Sequence, residues 1–466
     1  MAFLLSLAPV AVLVVALVVL KAPAWKAALA AFAVGAAEAF LWRGMPFGDI
    51  ALCVAQGVST GLFPIGIIVF AALFTYGVTE NSGAIADIKA VLGSLSSDRR
   101  FIALLVAWGF GNFMEGMAGF GTAVAIPCAI LVGVGFDPLR AVLCCLVANT
   151  TPTAFGSVGV PTSVLAGEAG LDVRALTPAI VSLQLAVTAV LPFLVLIAAD
   201  GWRGLRECWK LALASSAAFI VPWVLTARFL GCELPDVAGG ISVMALFAFL
   251  GNRGGTDARR QLWAWMPFSF VVAALGAVST LPPAWKPSPG FVVLAAGALG
   301  GLCQGIGPKR LLGVAAKTAR RYALAVFTIC AVLSLAKTMV AAGLTQILAD
   351  GLVAATGSGY AAVSSVVGAL GGFVTGSGTS TNVLFGALQA SVGSSEAEKL
   401  LFAAANVMGA GIGKMVCPQS IVLGCAAAGL SGRESEVMKK AFPYFVAVLA
   451  LACAVTCAFA MANRQP

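Results

Sequence analysis

Apolar segments of about 20 residues recur along the whole chain, and this pattern constrains the fold more than any single motif. A helix needs roughly 20 apolar residues to cross the hydrocarbon core of a bilayer. Runs of that quality lie at 3–20, 24–42, 50–80, 138–166, 174–199, 210–229, 234–251, 262–281, 288–306, 322–341, 397–428 and 441–461. The first run has no charged n-region and no small-residue cleavage site, so we expect a retained helix. The pattern predicts an all-α polytopic membrane protein.

Composition excludes the main soluble classes. Of the 466 residues 60% are hydrophobic and only 10% are charged, whereas an ordinary soluble domain is roughly half apolar and about a quarter charged. A water-exposed surface could not be covered, which excludes a soluble enzyme or a nucleic-acid binder despite the net charge of +9. The chain has no histidine, the commonest general base and metal ligand. The twelve cysteines lie mostly in apolar runs without a CxxC pair, so we expect small core residues, no metal site and no cofactor.

Two stretches depart from the simple spanning pattern. Residues 101–133 and 359–391 each contain two shorter apolar runs around a glycine-rich centre, at 114–122 and 375–382. Arms this short suit a re-entrant hairpin that enters and leaves on the same side. Irregular backbone at membrane depth is tolerated only where it is buried in protein or faces a water-filled cavity. The hairpin tips are therefore candidate sites.

The two halves of the chain repeat each other. At an offset of 260 residues Gly83, Gly111, Phe113 and Gly116 align with Gly343, Gly371, Phe373 and Gly376. At an offset of 257 residues Asn149, Gly156, Pro161, Ser163 and Gly167 align with Asn406, Gly413, Pro418, Ser420 and Gly424. We predict a first repeat at 1–200, a two-helix connector at 201–260 and a second repeat at 261–466.

Parity sets the predicted orientation of the repeats. Five crossings in the first repeat and two in the connector make seven, an odd number, so the second repeat is inverted relative to the first. The five crossings of the second repeat bring the total to about 12. If the N-terminus is placed outside, both termini are extracytoplasmic. With this topology 20 of the 28 Lys and Arg residues fall in cytoplasmic loops, as the positive-inside rule expects. The excess positive charge therefore belongs to a cytoplasmic face.

Inverted repeats with broken helices are typical of secondary transporters, whose sites lie at the repeat interface. The run at 138–166 should break at Asn149-Thr150-Thr151-Pro152, because proline lacks a backbone donor and disfavours helix before it. We expect the run at 397–428 to break at 405–413, which is rich in glycine. Freed N–H groups and the positive ends of half-helices suit a small anion, above all a carboxylate.

Three charged residues are predicted to lie deep in the membrane: Glu115, Lys337 and Lys414. Glu115 either carries a coupling proton or caps the amides of its hairpin. Lys414 either attracts a substrate carboxylate, pairs with Glu115, or extends towards an interface, as we expect of Lys337. The hydroxyl-rich run at 377–382 either binds substrate or is a capped helix start. The predicted substrate-binding residues are Gly119, Gly121, Thr122, Asn149, Thr150, Thr151, Ser377, Thr379, Ser380, Thr381, Asn382, Asn406, Lys414, Gln419 and Ser420.

The chain resembles the bacterial lactate permease family, symporters that take up L-lactate and glycolate with protons. The matching runs are 114–122, 148–152 with Ala154-Phe155-Gly156, 379–382 with Leu384-Phe385-Gly386, and Gly413-Lys414-Met415 with Pro418-Gln419-Ser420. The resemblance implies proton-coupled import of a 2-hydroxy monocarboxylate across a bacterial cytoplasmic (inner) membrane, and an elevator-like movement. Two positions differ from the usual family pattern: Gly378 replaces an acidic residue, and Lys337 lies where lysine is unusual.

Several alternatives stay open beside the proton symporter. Backbone carbonyls at the two asparagine-containing segments, with hydroxyls, would suit a sodium-coupled carrier. The added positive charge would suit a dianionic carboxylate, and the intramembrane lysines would permit a passive anion channel. An enzyme is disfavoured because no nucleophile–base pair is discernible. The expected partners are the carboxylate, protons or sodium ions, the lipid bilayer and, as an open option, a second copy in a homodimer, with no nucleic acid.

Overall fold

The computed structural model describes residues 2–16, 20, 22–119, 121–251, 258–279, 281, 285, 287–431 and 433–462. Phe120 of the first hairpin centre lies outside these residues, as do Lys21, Arg253, Lys286 and Arg464, four of the charges used to predict the topology. The described residues form helices and no β-strand, which confirms the predicted all-α class.

The α-helices are labelled in chain order. They are α1 (Ala2–Val14), α2 (Ala24–Leu41), α3 (Phe47–Thr60), α4 (Ile67–Asn81), α5 (Ala84–Ser94), α6 (Arg99–Ala103), α7 (Gly111–Met117), α8 (Thr122–Gly133), α9 (Pro138–Ala148), α10 (Gly156–Ala169), α11 (Val173–Phe229), α12 (Pro235–Leu250), α13 (Ala258–Ser279), α14 (Pro289–Cys303), α15 (Pro308–Ala341), α16 (Leu344–Thr356), α17 (Tyr360–Thr375), α18 (Gly378–Val392), α19 (Glu396–Lys414), α20 (Pro418–Ala428) and α21 (Glu434–Ala462). π-Helical segments at Gly61–Gly66 and Leu104–Phe110 and 3₁₀ turns at Thr151–Ala154 and Gly357–Gly359 complete the described helices.

Several helices are suited to a membrane by length and composition. Within the described residues five helical stretches are long and apolar enough to cross: Phe47–Asn81, Val173–Phe229, Arg259–Val278, Tyr322–Ala341 and Glu434–Ala462. The pair α19 and α20, bent by 40°, makes a sixth if it counts as one span. The other predicted runs contain shorter apolar helices such as α1, α12 and α14. The structure is therefore that of an integral membrane protein.

Helix α11 contains two of the predicted spanning runs. Its backbone leaves helical geometry at Asp200, Gly201 and Cys208, and Gly201 has a φ of 65°. The Ser216 hydroxyl donates to the carbonyl of Ala189 at 2.9 Å, so the arms on either side of the break lie next to each other. The helix is thus folded back on itself.

Charged residues from three predicted cytoplasmic segments meet beside the break in α11. Arg100 donates to Asp98 at 3.0 Å and to Glu207, and Arg140 lies 3.8 Å from Asp200. The hydrogen bond from Arg100 lowers the pKa of Asp98. The start of α6, the start of α9 and the break in α11 therefore lie at one end of the molecule.

Glycine residues turn both predicted hairpins. Gly119 and Gly121, with φ of 60° and 83°, connect α7 to α8, and Gly376, with φ of 64°, connects α17 to α18. Left-handed φ values are accessible to glycine without steric cost. We call α7–α8 the first hairpin and α17–α18 the second hairpin; in each of them the two helices pack against each other.

The structure corrects one predicted break. Helix α9 ends at Ala148, directly before the predicted break at Asn149, and α10 begins at Gly156. The predicted break at 405–413 is wrong, because α19 continues to Lys414 and the chain breaks only before Pro418. The glycines serve close packing instead. A Cβ at Gly409 or Gly413 would clash with backbone of α17, and one at Gly411 with the carbonyl of Thr150.

Helices from the two halves of the chain exchange contacts in matched pairs. Helix α10 packs on α18 while α20 packs on α8, and α11 packs on α19 while α21 packs on α9. Helix α2 packs on α15 while α14 packs on α4. These six pairs form three matched sets. In each set, aligning the two halves at the offset found in the sequence places the helices of one pair on those of the other. Such reciprocal contacts are characteristic of a two-fold arrangement.

Candidate functional site

A cavity of about 130 Å³ lies where both hairpin tips meet the break after α9, the middle of α15 and the junction of α19 and α20. This space is several times that needed by one water molecule. Its walls are formed by Glu115, Gly121, Thr153, Gly156, Ser157, Pro161, Ala325, Thr328, Ile329, Thr375, Gly376, Ser377, Gly378, Thr379, Ser380, Lys414, Gln419, Ser420 and Leu423. We call it the central cavity.

A buried ion pair forms one wall of the central cavity. Lys414 Nζ donates to Glu115 Oε1 at 2.6 Å, and these side chains are only 8% and 5% exposed. Asn149 Nδ2 donates to the other carboxylate oxygen, Oε2, at 3.1 Å. Of the roles that the sequence left open for Lys414, the structure forms the pair with Glu115. Because a buried charge without a partner is costly, each member of the pair holds the other in place.

The backbone next to the ion pair is folded to let the carboxylate approach. A Cβ at Gly156 would lie 3.0 Å from Glu115 Oε1. Ser157 and Val158 follow with φ of 47° and 61°, which non-glycine residues rarely adopt. The Ser157 hydroxyl donates to the carbonyl of Ala118 at 2.9 Å and so connects this turn to the first hairpin tip. Strained backbone of this kind is concentrated at functional sites.

The second hairpin contributes hydroxyl groups and a helix N-terminus to the cavity. Ser377 caps α18 by accepting a hydrogen bond from the backbone N–H of Ser380 at 3.2 Å, and Thr379 lies beside them in the cavity wall. The run is thus a capped helix start that also lines the cavity. Helix α20, with Gln419 in its first turn, begins at the same wall. Two helix N-termini therefore bring partial positive charge to the cavity.

Gly378 has no room for a side chain. A Cβ there would lie 2.7 Å from Thr153 Cγ2 and 3.0 Å from the Thr153 carbonyl oxygen. This contact explains why the second hairpin carries glycine here while Thr153 stands opposite. Glu115 supplies the one carboxylate that lines the cavity among the described residues.

A layer of amide and hydroxyl groups lies behind the cavity wall. Asn382 donates to the carbonyl of Pro161 and accepts from Asn406, both at 2.9 Å. The hydroxyls of Thr151 and Thr188 lie 3.1 Å apart. These bonds connect the second hairpin to α10 and α19, and the turn after α9 to α11. The layer holds the cavity elements in register.

Some of the predicted site residues lie in the cavity wall and the others lie outside it. Those in the cavity wall are Glu115, Gly121, Ser377, Thr379, Ser380, Lys414, Gln419 and Ser420. Those outside the wall are Gly119, Thr122, Asn149, Thr150, Thr151, Thr381, Asn382 and Asn406. Thr122 donates to the carbonyl of Gly119, and Thr381 donates to that of Ser377. The roles of both groups in substrate binding stay predictions.

Two further ionisable side chains differ from the expectation. Lys337, expected to extend towards an interface, lies 3.0 Å from Glu168, whose side chain is 6% exposed. Asp236 is only 1% exposed and accepts from Trp223 Nε1 at 3.0 Å. Asp236, at the edge of the apolar run at 234–251, was not among the three charges predicted to lie deep in the membrane. Gly156 and Ser157 were missed as well, although Gly156 already stood out as a position repeated at Gly413.

Removing the second donor to Glu115 should weaken transport. In Asn149→Leu the carboxylate keeps Lys414 but loses a hydrogen bond to a charged group, worth about 1.5–3 kcal/mol. We expect initial uptake of the substrate to fall by about tenfold or more. The control is Ser391→Ala, which removes a hydroxyl bonded within its own helix. Equal uptake by the two variants would show that Asn149 does not support the carboxylate.

Helices of membrane-crossing composition enclose a polar cavity with a buried ion pair, an arrangement typical of membrane transporters. The crystal structure of the YdaH transporter of Alcanivorax borkumensis is similar, with a TM-score of 0.51, 16% identity and 88% of each chain covered. At this identity the similarity concerns the fold alone.

The chain belongs to the L-lactate permease family, whose model matches residues 2–286 and 269–462. An L-lactate permease of Streptococcus iniae is 39% identical over 72% of this chain and 78% of its own length. One from Escherichia coli K12 is 32% identical, covering 94% and 92%. The glycolate permease GlcA of the same strain is 31% identical, covering 94% and 91%. These relatives confirm the predicted family, and they confirm a transporter rather than an enzyme.

Proposed function

We propose that the protein imports small 2-hydroxy monocarboxylates of the L-lactate and glycolate type by proton symport across a bacterial cytoplasmic membrane. The substrate class follows from relatives named for lactate and glycolate. The observation that carries the proposal is the Lys414–Glu115 pair in the wall of a cavity faced by two helix N-termini. A carboxylate entering this cavity meets one ammonium group that is already paired.

Competition for Lys414 would couple substrate to proton. A substrate carboxylate that takes over the Lys414 ammonium leaves the Glu115 carboxylate buried without its cation. An unpaired buried carboxylate is strongly disfavoured, so Glu115 takes up a proton. The pair is neutral before binding, and the site is neutral again with substrate and proton bound. Neither state then carries a net charge on these groups through the low-dielectric membrane.

The hydroxyl groups of the cavity suit the rest of a 2-hydroxy acid. Ser377, Thr379 and Ser380 lie on the second hairpin and Ser420 on α20, and all four line the cavity together with the ion pair. Hydroxyls both donate and accept, so they can bind a carboxylate oxygen and the adjacent 2-hydroxyl group. We assign substrate binding to these residues with Lys414, and proton coupling to Glu115.

The predicted topology belongs to the same proposal. Two inverted repeats at 1–200 and 261–466, about 12 crossings and extracytoplasmic termini are supported by the reciprocal helix contacts and by the charged cluster at one end of the molecule. Wall residues Ala325, Thr328 and Ile329 lie on α15, whereas the hairpins supply eight of the other sixteen. An elevator-like movement would carry the hairpins past α15. The homodimer stays a prediction.

Sodium coupling is the second candidate, and buried oxygen atoms favour it. Asn149 Oδ1, Thr150 Oγ1 and Asn406 Oδ1 are buried without a hydrogen-bond partner among the described residues. Neutral oxygen atoms of this kind are suitable ligands for a hard cation. The structure describes no cluster of three or more acidic or cysteine side chains that would hold a metal ion.

Uptake into proteoliposomes tests the proposal. We expect labelled L-lactate to accumulate above its external concentration under an inward proton gradient, and a sodium gradient at constant pH to have no effect. Accumulation driven by sodium alone would favour the second candidate. Equilibration without accumulation under either gradient would identify a passive anion channel.

Glu115→Gln is the variant that tests the coupling role. One coupled proton supports about tenfold accumulation per pH unit of gradient. We therefore expect accumulation of labelled L-lactate by Glu115→Gln to be about tenfold lower, per pH unit of gradient, than accumulation by the wild type. The control is Glu80→Gln, because Glu80 stands at the end of α4 away from the cavity wall. Wild-type accumulation by Glu115→Gln would remove Glu115 from the coupling role.

A further inference from the structure

A third ionisable group lies close to the ion pair and comes from the connector between the repeats. Asp236 is the second residue of α12 and is 1% exposed. Its Oδ1 accepts from Trp223 Nε1 at 3.0 Å, and its Oδ2 has no hydrogen-bond partner among the described residues. The backbone N–H of Phe155 lies near this carboxyl group but donates to the carbonyl of Pro152 at 3.3 Å. A buried ionised carboxylate normally has several donors, so this environment favours a group that exchanges a proton.

The position of Asp236 links it to the transport site. It packs against Gly116, the residue after Glu115, where a Cβ would lie 3.0 Å from Asp236 Cβ. The charges of both Glu115 and Lys414 act on the Asp236 carboxyl group. Phe155, whose ring lies 5.9 Å from that of Trp223, directly precedes the Gly156 that contacts Glu115. Asp236 therefore lies next to the first hairpin, outside the cavity wall.

The local charge balance leaves one carboxyl group in excess. Helix α12 packs against α11, α7 and the π-helical segment Leu104–Phe110. The π-helical segment has no titratable residue, and α7 has only Glu115. After Lys210, α11 has one charged residue, Arg228, and Cys232 and Glu233 lie between α11 and α12. Lys414 on α19 is the buried cation whose charge acts on Asp236 as well as on Glu115. With Lys414 paired to Glu115, an ionised Asp236 leaves the cluster with one net negative charge.

We propose that Asp236 is a second proton-binding carboxyl group of the transport site, and that its protonation strengthens carboxylate binding at Lys414. The inference rests on the proposed function, since it assumes that the substrate carboxylate binds Lys414. Asp236 Oδ2 takes a proton from hydronium in water: one O–H bond of hydronium breaks as the Oδ2–H bond forms, and nothing is oxidised or reduced. The ionised form repels an incoming anion and attracts Lys414, whereas the neutral form does neither.

A structural role for Asp236 makes a different prediction. An acidic residue in the first turn of a helix is favourable by itself, and Asp236 fixes the Trp223 ring. Asn at this position keeps the Oδ1 acceptor for Trp223 but cannot exchange a proton. A structural role therefore predicts that Asp236→Asn follows the wild-type pH dependence at every pH.

The experiment measures the apparent KM for exchange of labelled L-lactate in proteoliposomes with equal pH on both sides, between about pH 5.5 and 8.5. Lactate stays ionised over this range. We expect wild type and Asp236→Asn to agree at the acid end. At the alkaline end we expect the KM of Asp236→Asn to be about tenfold lower, because the repelling charge is missing. Identical KM curves would overturn the inference.

Further measurements distinguish a purely structural role of Asp236 from a failure of the proposed function. Trp223→Phe keeps a ring but removes the donor, so we expect the alkaline rise in KM to begin at a different pH from wild type. If Asp236 acts only by fixing Trp223, Asp236→Asn keeps the wild-type KM at every pH, and Trp223→Phe changes the KM by one factor at all pH values. That outcome also overturns the inference. A wild-type protein that exchanges no lactate would contradict the proposed function instead, and melting temperatures in detergent establish that each variant is folded.

Discussion

Lys414→Met is expected to raise the apparent KM for L-lactate by about a hundredfold and to lower the melting temperature of the purified protein. The substitution keeps the length of the side chain but removes the ammonium group that would bind the substrate carboxylate. A hydrogen bond between charged groups contributes about 1.5–3 kcal/mol, which corresponds to a factor of ten to a hundred in affinity. The Lys414→Met substitution also leaves the Glu115 carboxylate buried, with Asn149 as its remaining donor. Breaking a buried ion pair in this way typically costs about 3–5 kcal/mol.

The double variant Glu115→Gln with Lys414→Met separates the two effects. Because both charges are removed together, the desolvation cost disappears, and we expect the melting temperature to return close to that of the wild type. Substrate binding should not return, because the ammonium group is still missing. If the double variant regained the wild-type KM, Lys414 would serve only to hold Glu115.

Lys337→Met is the matched control in the same protein. Lys337 also pairs with a buried glutamate, Glu168, but neither residue lines the central cavity. Its side chain is 28% exposed, so solvent compensates more of the lost interaction. We expect the KM of this variant to stay close to that of the wild type. A large rise in KM for Lys337→Met would show that the effect of Lys414 is not specific to the cavity.

Local chemistry made parts of the site predictable from the sequence. Left-handed glycines at Gly121 and Gly376 turn the two hairpins within the glycine-rich centres that the sequence singled out. Pro152 correctly marked the region where α9 ends and α10 begins. Glu115 and Lys414 were recognisable because charges are rare in apolar segments. Each of these signals depends on a residue's own neighbours in the chain.

Contacts between distant segments were not predictable in the same way. Glycines at 409–413 are compatible with either a helix break or a close helix crossing, and only the position of α17 decides between them. The burial of Asp236 depends on Trp223 and Gly116, and that of Glu168 on α15. The turn at Ser157 and Val158 is stabilised by the first hairpin tip. A single sequence contains no local mark of these arrangements.

The crossing of α17 and α19 provides the last prediction, Gly413→Val. A Cβ at Gly413 would clash with the carbonyl of Ala369, and one at Gly372 on the facing helix would clash with that of Ala410. Small residues four positions apart on both helices let the backbones approach this closely, as membrane helices commonly do. Valine would force the helices apart and move Lys414, the next residue, away from Glu115.

We expect Gly413→Val to lose at least about 3 kcal/mol of stability, since the clash involves backbone that no change of rotamer relieves. Size-exclusion chromatography of the solubilised protein should show little monodisperse material, and any folded fraction should melt well below the wild type. The control is Gly313→Val in α15, where no atom lies within 4 Å of the added Cβ. We infer that close packing against α17 keeps α19 helical at its glycines. Equal melting temperatures for the two variants would contradict this inference.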